Sequence, residues 1–569
     1  MQKLESRGIC LARTHWNLLP QIEQIASPPG IDHLIAQLLH NRGISDPNQT
    51  DLFLSADQRL EADPFLLPDM HQAVNRIYQA LFAGEKIAVY GDFDADGITA
   101  TVLLVQGLEA LGANVIPYIP HRLVEGYGLR TPALEKLHKQ GISLVITVDT
   151  GITALEEVDK AHKMGMDIII TDHHVPPENL PQAKAVVNPK RNDSAYSSTE
   201  LAGVGVAFKF LQALLKGRGE EDVIHRSLDL VALGTITDMV PLLGENRYWV
   251  KQGLGLLKDT KRLGLQEMMR CAGLEPGSID ADKISWILGP RINSAGRLDD
   301  ANTSYLLLIT QDRQEAISLA SELERKNARR RQVTDQLMSM AKEHIVAGGV
   351  ERPLLMAGHD DYPQGVMGLV AGRLADEFNR PVVLVRIGSE TCRGSGRSIP
   401  QFDLMAALQQ CQDILSDFGG HTKAAGFVVS VDNLPQLQQR LADIAESQLA
   451  GLDLRPHINI DAEVPLTALA GDTFQKIQQL APFGCGNPVP TFLSRDVEVI
   501  QQQQVGEQGD HLRLKLRQKD MLWDAIAFKM GSRTEELGTL IDIVYTLQID
   551  RWNGNERLRL NLLDFARPR

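Results

Sequence analysis

KIAVYGDFDADG, residues 86–97, is the stretch that decides the fold. An apolar β-type run over 86–90 ends in a turn rich in Asp and Gly, and the helical pattern ITATVLLVQGLEALG (98–112) follows it. The same alternation of strand and helix returns in ANVIPYIP (113–120), SLVITVDTG (143–151), DIIITDHH (167–174) and AKAVVNP (183–189). This pattern predicts an α/β fold with a parallel sheet and helices on both faces. Ligands of such sheets bind at the carboxyl ends of the strands.

Acidic and histidine side chains occupy these predicted strand ends. They are Asp92, Asp94, Asp96, Asp149, Asp172, His173 and His174, and Asp238 in GTITDMVPL (234–242) is expected at a further strand end. Carboxylates held so close together must either raise their pKa values or recruit cations. Oxygen-rich ligation with one or two imidazoles suits Mn²⁺ or Mg²⁺ better than a structural zinc site. Two such ions can clamp a phosphoryl group and activate water for attack on it.

Each motif taken alone has another interpretation. D-x-D-x-D-G can be an exposed acidic turn, and it also opens the calcium loop of an EF-hand. Here the twelfth loop position would be Leu103 rather than Glu, and the motif follows a strand, so an EF-hand does not fit. Asp149 could simply cap a helix, and one histidine could be structural. The combination of all of them in one α/β region favours the metal site.

The first 347 residues divide into three predicted regions. Residues 1–80 predict a mostly helical segment in which we find no chemistry, and residues 81–300 hold the α/β pattern with the acidic cluster. Residues 301–347 predict a long connecting helix that carries the basic run RKNARRR (325–331). This run is either a solvated helix face or a contact to nucleic acid.

Two regions follow the connecting helix. Residues 348–455 predict a second α/β domain with two Gly-rich segments, RGSGRS (393–398) and FGGHTKAAGF (418–427). Residues 456–569 are rich in short strands, among them HLRLKLRQ (511–518), and Asn553-Gly554 is a hairpin signal. About 110 residues of short strands suit a small β-barrel of the oligonucleotide-binding (OB) type.

Bulk composition limits the class of protein but does not identify a function. The net charge of −14 opposes nucleic-acid binding only weakly, since a DNA groove needs a local basic surface and metal ions neutralise an acidic site. The five cysteines are scattered and form no C-x-x-C pair, which argues against a disulfide framework and fits a reducing cytoplasm. We find no secretory signal and no apolar run long enough to cross a membrane.

The ordered motifs resemble those of a known superfamily. DFDADG, VDTG, TDHH and TDMVPL are similar to the four motifs of the DHH phosphoesterases, and FGGHTKAAGF resembles the Gly-Gly-His motif of their associated second domain. LGPRINSAGR (288–297), the connecting helix and the barrel narrow the resemblance to bacterial exonucleases specific for single-stranded DNA. The resemblance covers the chain from about residue 50 onward and implies hydrolysis from the 5′ end to nucleoside monophosphates, in DNA repair and recombination.

The resemblance also implies residue roles. One ion would be bound by Asp96, Asp149, His173 and Asp238, and Asp94 would help bind a second ion by sharing Asp149. Asp92 and Asp172 would orient the ligands. His174 would contact the scissile phosphate or assist proton transfer.

Several basic and small residues are candidates for holding DNA. Arg291, Asn293 and Arg297 in GPRINSAGR suit close approach to a phosphate backbone. Gly-rich RGSGRS predicts a loop that could bind a terminal 5′-phosphate, and the candidate residues for this group are Arg393, Ser395, Arg397 and Arg122. His421 would approach the substrate closely. Arg513, Lys515 and Arg517 alternate on a predicted barrel strand and could follow a single strand.

Two competing functions stay open at this point. A smaller DHH relative, such as a pyrophosphatase, an oligoribonuclease or a cyclic-dinucleotide phosphodiesterase, would share the metal cluster but needs no barrel. A non-catalytic DNA-binding scaffold would have no reason to keep repelling carboxylates. The expected partners are single-stranded DNA and, by resemblance, single-stranded-DNA-binding protein and a helicase, with the chain acting as a monomer.

Overall fold

The computed structural model describes residues 14–22, 31–122, 124–552 and 555–568. It confirms the predicted fold class: a parallel-sheet domain, a long helix, a second α/β domain and a C-terminal barrel. The hairpin turn expected at Asn553-Gly554 lies outside the described residues, although the two strands that flank it do pair antiparallel. Among the described residues, no helix has the length and apolar character needed to cross a bilayer.

The first sheet is parallel throughout, with the strand order β3-β2-β4-β5-β6. Its strands are β2 (Lys86–Tyr90), β3 (Asn114–Tyr118), β4 (Ile142–Val148), β5 (Asp167–Thr171) and β6 (Ala185–Val187). Its helices are α3 (Met70–Ala83), α4 (Ala95–Ala110), α5 (Thr131–Lys139), α6 (Leu155–Lys163) and α7 (Gly203–Leu215). The apolar sides of α3, α4 and α7 pack on one face and those of α5 and α6 on the other. The predominantly apolar, β-branched strands fit this burial on both faces.

A helical layer connects the two sheets. It consists of α8 (Glu221–Thr237), α9 (Gly244–Leu257), α10 (Leu263–Cys271), α11 (Ala281–Lys283), α12 (Gly289–Leu298), α13 (Asn302–Ile309) and α14 (Arg313–Gly348). One π-helical segment, Ile284–Leu288, runs directly into α12. Helix α14 is 36 residues long, and the carboxylate of Asp312 caps its start by accepting a hydrogen bond from the Glu315 amide.

The second sheet is mixed, in the order β10-β11-β9-β8-β7, and only β7 and β8 are parallel. Its strands are β7 (Leu355–His359), β8 (Val382–Arg386), β9 (Thr391–Arg397), β10 (Leu415–His421) and β11 (Ala424–Ser430). Its helices are α15 (Gln364–Phe378), α16 (Leu404–Gln409) and α17 (Leu434–Leu449). The expected Gly-rich loop RGSGRS is therefore wrong: the segment is strand β9, whose alternate glycines face inward against side chains such as Phe427 and Leu404.

The C-terminal strands close into a barrel, because β14 pairs with both β15 and β17. The elements of this region are β12 (His457–Ile460), β13 (Ala462–Glu463), α18 (Thr473–Gln478), β14 (Phe492–Val505), β15 (His511–Gln518), β16 (Met521–Ala527), β17 (Leu540–Trp552) and β18 (Asn555–Ala566). The side chains of Arg513, Lys515 and Arg517 face outward, as their alternation predicts. Arg517 forms an ion pair with Glu498 of β14.

The N-terminal segment packs mainly against this C-terminal region. Its elements are β1 (His15–Leu18), α1 (His33–His40) and α2 (Pro47–Ser55). Strand β1 pairs in parallel with β12, and side chains of α1 and α2 belong to the same apolar cluster as the interior of the barrel. The two ends of the chain thus share one core, which no local sequence pattern indicates.

Candidate functional site

The DFDADG motif forms the start of α4, directly after strand β2. The carboxylate of Asp94 caps this helix by accepting hydrogen bonds from the amides of Asp96 and Gly97 at 3.0 and 3.2 Å. Asp96 therefore lies in the first turn, where its oxygens accept the amides of Gly203 and Val204 at 2.6 and 2.8 Å. These amides belong to the start of α7, where helical N–H groups lack partners within their own helix. The motif thus fixes two carboxylates and two helix starts at one edge of the sheet.

Asp149 follows β4 in a left-handed backbone conformation, with φ of 61°. Asp tolerates this region better than most residues, and such conformations concentrate at functional sites. The start of α7 approaches Asp149 so closely that a Cβ atom at Gly203 would lie 2.5 Å from the Asp149 Oδ1 atom. Only glycine at residue 203 leaves room for this carboxylate.

Asp172, after β5, holds the two histidines that follow it. Its Oδ1 atom accepts hydrogen bonds from the His173 and His174 amides and lies 2.7 Å from the His174 Nδ1 atom, while Oδ2 accepts the Ile152 amide. With its oxygens occupied in this way, Asp172 orients the imidazole of His174. This is the arrangement expected of a carboxylate that fixes a histidine from behind.

Asp238 does not lie at a strand end, and that expectation is wrong. It caps the C-terminal end of α8, and Met239 after it is left-handed, with φ of 62°. The Asp238 Oδ2 atom is 3.7 Å from Nδ1 of His173, and the Asp149 Oδ1 atom is 3.1 Å from Nε2 of the same ring. Neither nitrogen of this buried imidazole has a well-formed hydrogen bond among the described residues, and neither does the buried Oδ1 atom of Asp92.

The side chains form sets in which one ligand atom from each residue lies within 4.8 Å of those of the others. The sets are Asp96, His173 and Asp238; Asp92, Asp94 and Asp149; and Asp149, Asp172, His173 and His174. Buried polar atoms are normally satisfied by hydrogen bonds. Ligand atoms that lack such partners within the described ranges, arranged around common points, fit metal ions in this site. Carboxylates with one imidazole are ligands that Mn²⁺ and Mg²⁺ accept.

The shifted pKa values of these residues also favour bound cations. Burial, and then the charge of nearby carboxylates, raises the pKa of Asp92 and Asp149 well above the usual value, that of Asp96 to about 7 and that of Asp238 to about 9. Burial and the neighbouring His174 lower the pKa of His173 to about 3. Burial opposes charge on His174, but its contact with Asp172 raises its pKa to about 9. The carboxylates repel one another unless cations or protons are added.

Three half-buried arginines approach the acidic cluster from another side. Arg122 lies 4.8 Å from the centre of the Phe93 ring, Arg297 is on α12 and Arg397 is on β9. Burial and then Arg122 lower the pKa of Arg397, and burial and then Arg122 and Arg330 lower that of Arg297 to about 9. None of the three forms an ion pair within the described part of the chain. They form a cationic surface next to the carboxylates.

The other predicted DNA-binding residues differ in their surroundings. Arg291 pairs with Glu324 of α14 at 2.6 Å, and the Asn293 Oδ1 atom accepts the Ala95 amide at 2.8 Å, so both also support the fold. Arg393 and Ser395 share one face of β9 with Arg397, and Arg393 is exposed. The ring of His421, at the end of β10, stacks on that of His174 with centroids 5.7 Å apart.

Sequence reasoning missed two neighbours of His174. The Tyr127 hydroxyl lies 3.4 Å from its Nε2 atom, and the Asn188 side-chain amide donates to its carbonyl oxygen at 2.9 Å. Asn188 directly follows β6 and could have been found as a further polar residue at a strand end. Tyr127 comes from the loop after β3, and nothing in its local pattern indicates its position.

Comparisons with known proteins agree with this geometry. Family models match residues 86–235 (DHH family, N-terminal domain), 350–447 (DHHA1 domain) and 460–564 (RecJ OB domain). The chain is 36% identical to the single-stranded-DNA-specific exonuclease RecJ of Bacillus subtilis, over 96% of this chain and 69% of that protein. It is 33% identical to RecJ of Dickeya dadantii, over 94% and 96%.

A solved structure shows the same architecture. The crystal structure of RecJ from Thermus thermophilus in complex with Mn²⁺ superposes with a TM-score of 0.84 at 30% identity, and covers 98% of this chain and 80% of that one. The motifs, the site geometry and these matches agree, and the chain belongs to the RecJ family of the DHH phosphoesterases.

Proposed function

We propose that this chain is a metal-dependent exonuclease that hydrolyses single-stranded DNA from the 5′ end and releases 5′-mononucleotides. One observation carries the proposal: carboxylates and an imidazole cluster closely, with buried polar atoms that lack hydrogen-bond partners among the described residues, directly beside half-buried arginines. The RecJ proteins of B. subtilis and D. dadantii are named for this substrate, and the T. thermophilus relative was solved with Mn²⁺ and with Mg²⁺. The proposed cofactor is accordingly a pair of Mn²⁺ or Mg²⁺ ions.

The carboxylates divide between two ion positions. Asp96, His173 and Asp238 would hold one ion and Asp92, Asp94 and Asp149 the other, and Asp149, 3.1 Å from His173, would also be within reach of the first. This differs from the sequence-based expectation in one respect: the Oδ1 atom of Asp92, which has no hydrogen bond in the described chain, favours a ligand rather than an orienting group. When bound, the two ions supply a Lewis acid and an activated water for attack on phosphorus.

The surrounding residues hold and orient the substrate. Asp172 fixes the His174 ring so that its Nε2 atom faces the site together with the Tyr127 hydroxyl and the ring of His421. His174 can therefore donate a hydrogen bond to the scissile phosphate. Arg122, Arg297 and Arg397 provide the positive charge that a terminal phosphate monoester needs, and Ser395 adds a hydroxyl on the same strand face as Arg397.

Longer DNA would continue over the second domain and the barrel. Arg513 and Lys515 face outward on β15, while Arg517 is partly neutralised by Glu498, so we expect the first two to contribute more. By family resemblance, single-stranded-DNA-binding protein and a helicase are the proposed partners. Action as a monomer in the cytoplasm likewise stays a prediction.

A digestion of 5′- and 3′-labelled single strands, with and without Mn²⁺, tests the function. We expect mononucleotides from the 5′ label first, only with metal, and none from Asp149→Ala, which should still bind single strands. Metal-dependent cleavage of pyrophosphate or cyclic dinucleotides but not of DNA would favour a small-substrate phosphodiesterase. Binding without any hydrolysis at saturating Mn²⁺ would favour a scaffold.

A further inference from the structure

The segment that follows Asp238 is held by a distant part of the chain. Residues 239–243 connect α8 to α9, and the Leu242 amide donates a hydrogen bond to the Cys485 carbonyl at 2.8 Å. Cys485 belongs to a tight turn over residues 483–487 that precedes the barrel. In this turn Gly484 and Asn487 exchange backbone hydrogen bonds of 2.9 and 3.1 Å. The turn thus touches the backbone four residues after a proposed metal ligand.

The contact between the two segments is close. Gly486 is left-handed, with φ of 71°, and a Cβ atom there would lie 2.9 Å from Cβ of Pro241. A Cβ atom at Gly484 would lie 2.8 Å from Cδ1 of Leu242. Distances this short mean that even one methyl group on the turn must displace the segment after Asp238 or its side chains.

Buried polar groups fix the turn itself. The fully buried Asn487 amide donates to the Leu480 and Pro482 carbonyls, and its Oδ1 atom accepts from Arg42 Nε at 2.7 Å. From the other side Arg247 of α9, also fully buried, donates to the Leu480 and Ala481 carbonyls. Each of these groups would be costly to leave unpaired. The 479–487 segment is therefore a rigid support, anchored to both the N-terminal segment and α9.

We propose that the 483–487 turn is a positioning element for Asp238, so that the region next to the barrel sets the affinity of one metal position. The inference rests on the proposed function, in which Asp238 is an ion ligand. Asp238 closes a helix and is followed by a left-handed Met239. Val240 then packs into the core, Asn246 donates to the Pro241 carbonyl, and the Leu242 amide donates to the turn, so the turn is one of three anchors of this short segment. A shift of the 240–242 segment would rotate the Asp238 carboxylate away from His173.

Gly486→Ala tests the inference, with Gly471→Ala as its matched control. Both glycines lie in the C-terminal region with φ near 70°, so both variants place alanine in the same disfavoured conformation, but a Cβ atom at Gly471 meets nothing within 4 Å. We expect Gly486→Ala to need at least fivefold more Mn²⁺ for half-saturation than Gly471→Ala, measured by calorimetry or Mn²⁺ electron paramagnetic resonance. Metal-free binding of single-stranded DNA should match the control, and saturating Mn²⁺ should restore kcat. Because the extra contact is expected to lower Tm, both variants are compared well below their unfolding temperatures.

Two results would overturn the inference, and a second pair of variants replaces the first if Gly486→Ala does not fold. Equal Mn²⁺ binding by Gly486→Ala and Gly471→Ala, in folded proteins, overturns the positioning role alone if Asp238→Ala loses affinity. Unchanged Mn²⁺ binding by Asp238→Ala overturns the ligand assignment and the positioning role together. If Gly486→Ala does not fold, Gly484→Ala is measured against Gly277→Ala, whose added methyl is also free of contacts, and the same comparison decides.

Discussion

The imidazole rings of His174 and His421 lie nearly parallel, with centroids 5.7 Å apart and an angle of 17° between their planes. His174 follows β5 of the first sheet, and His421 ends β10 of the second. The chain between them includes the whole helical layer. The stacked pair is thus a point where the second α/β domain reaches the acidic cluster.

His421→Ala should lower the rate of hydrolysis without removing the metal positions. The ring borders the face of His174 from which the substrate phosphate would be contacted, and charge-assisted hydrogen bonds contribute roughly 1.5–3 kcal/mol. We expect kcat to fall by about tenfold to a hundredfold, with Mn²⁺ affinity unchanged. Single-turnover rates at saturating Mn²⁺ measure the effect. Thr422→Ala, at the neighbouring exposed residue, is the control, and equal losses in both variants would contradict a specific role.

The metal-free protein should lose stability as the pH rises from 7 to 9. A carboxyl whose pKa is higher in the folded chain than in the unfolded chain favours the fold at low pH, and this contribution is lost as the pH rises through the folded-state pKa. Asp96, with a pKa of about 7, loses most of its contribution below pH 7, whereas Asp238, with a pKa of about 9, loses its contribution progressively up to pH 9. The raised pKa of His174, about 9, acts in the same direction over this range. Thermal unfolding in EDTA measures the decline, which saturating Mn²⁺ should flatten.

Asp238→Asn separates charge repulsion from other causes of this decline. With a pKa of about 9, Asp238 must take up a proton on folding at pH 8, whereas a neutral amide of the same shape needs none. We therefore expect the metal-free variant to be more stable than the parent at pH 8, by a few degrees in Tm for roughly 1–2 kcal/mol. Its stabilisation by Mn²⁺ should be smaller. Asp159→Asn, on the exposed face of α6, should change neither quantity. A lower metal-free Tm for Asp238→Asn would show that this carboxylate supports the fold.

Local chemistry explains which parts of the site the sequence could predict. Asp94 and Asp96 act through hydrogen bonds to amides of helix starts, and strand β2, its turn and helix α4 all lie within 25 residues. Asp149 and Asp172 follow strands whose apolar runs are plain in the sequence. These residues could be placed at one sheet edge because parallel strands bring their carboxyl ends together.

Long-range packing explains what could not be predicted. The β-branched residues of GTIT favour a strand before Asp238, but α8 buries this segment against α4 and α7 and makes it helical. The glycines of RGSGRS favour a loop, yet they leave space for Phe427 and Leu404 beneath a strand. The shared core of the N-terminal segment and the barrel joins residues more than 400 positions apart.

That shared core predicts how the chain tolerates truncation. A chain ending at residue 455 would lose the barrel and expose the apolar side chains of Ile35, Leu38 and Leu39 on α1. Fully exposing such side chains costs about 1.5–3 kcal/mol each. We expect this chain to aggregate or to unfold at lower temperature than a chain of residues 57–455, which lacks both partners. Size-exclusion chromatography and thermal unfolding compare the two, and equal behaviour would contradict the shared core.

The last prediction concerns the arginines that face the acidic cluster. Arg397 is half-buried beside Arg122 and Arg297 and forms no ion pair in the described part of the chain, so its charge is available to a ligand. A terminal phosphate monoester carries more negative charge than an internal diester, and a guanidinium can contact it with two hydrogen bonds. Arg397→Ala should therefore weaken use of 5′-phosphorylated single strands by about tenfold to a hundredfold. Use of 5′-hydroxyl strands should fall much less.

Arg393→Ala is the matched control for this variant, since Arg393 lies on the same face of β9 but is exposed. A long-range charge effect would act on both variants alike, whereas a contact to the terminal phosphate requires the half-buried guanidinium of Arg397. We expect the preference for the phosphorylated end, measured as the ratio of kcat/KM values, to shrink in Arg397→Ala and to persist in Arg393→Ala. If Arg397→Ala lowers kcat/KM equally for 5′-phosphorylated and 5′-hydroxyl strands, Arg397 contacts the DNA backbone in general, because both substrates contain internal phosphates.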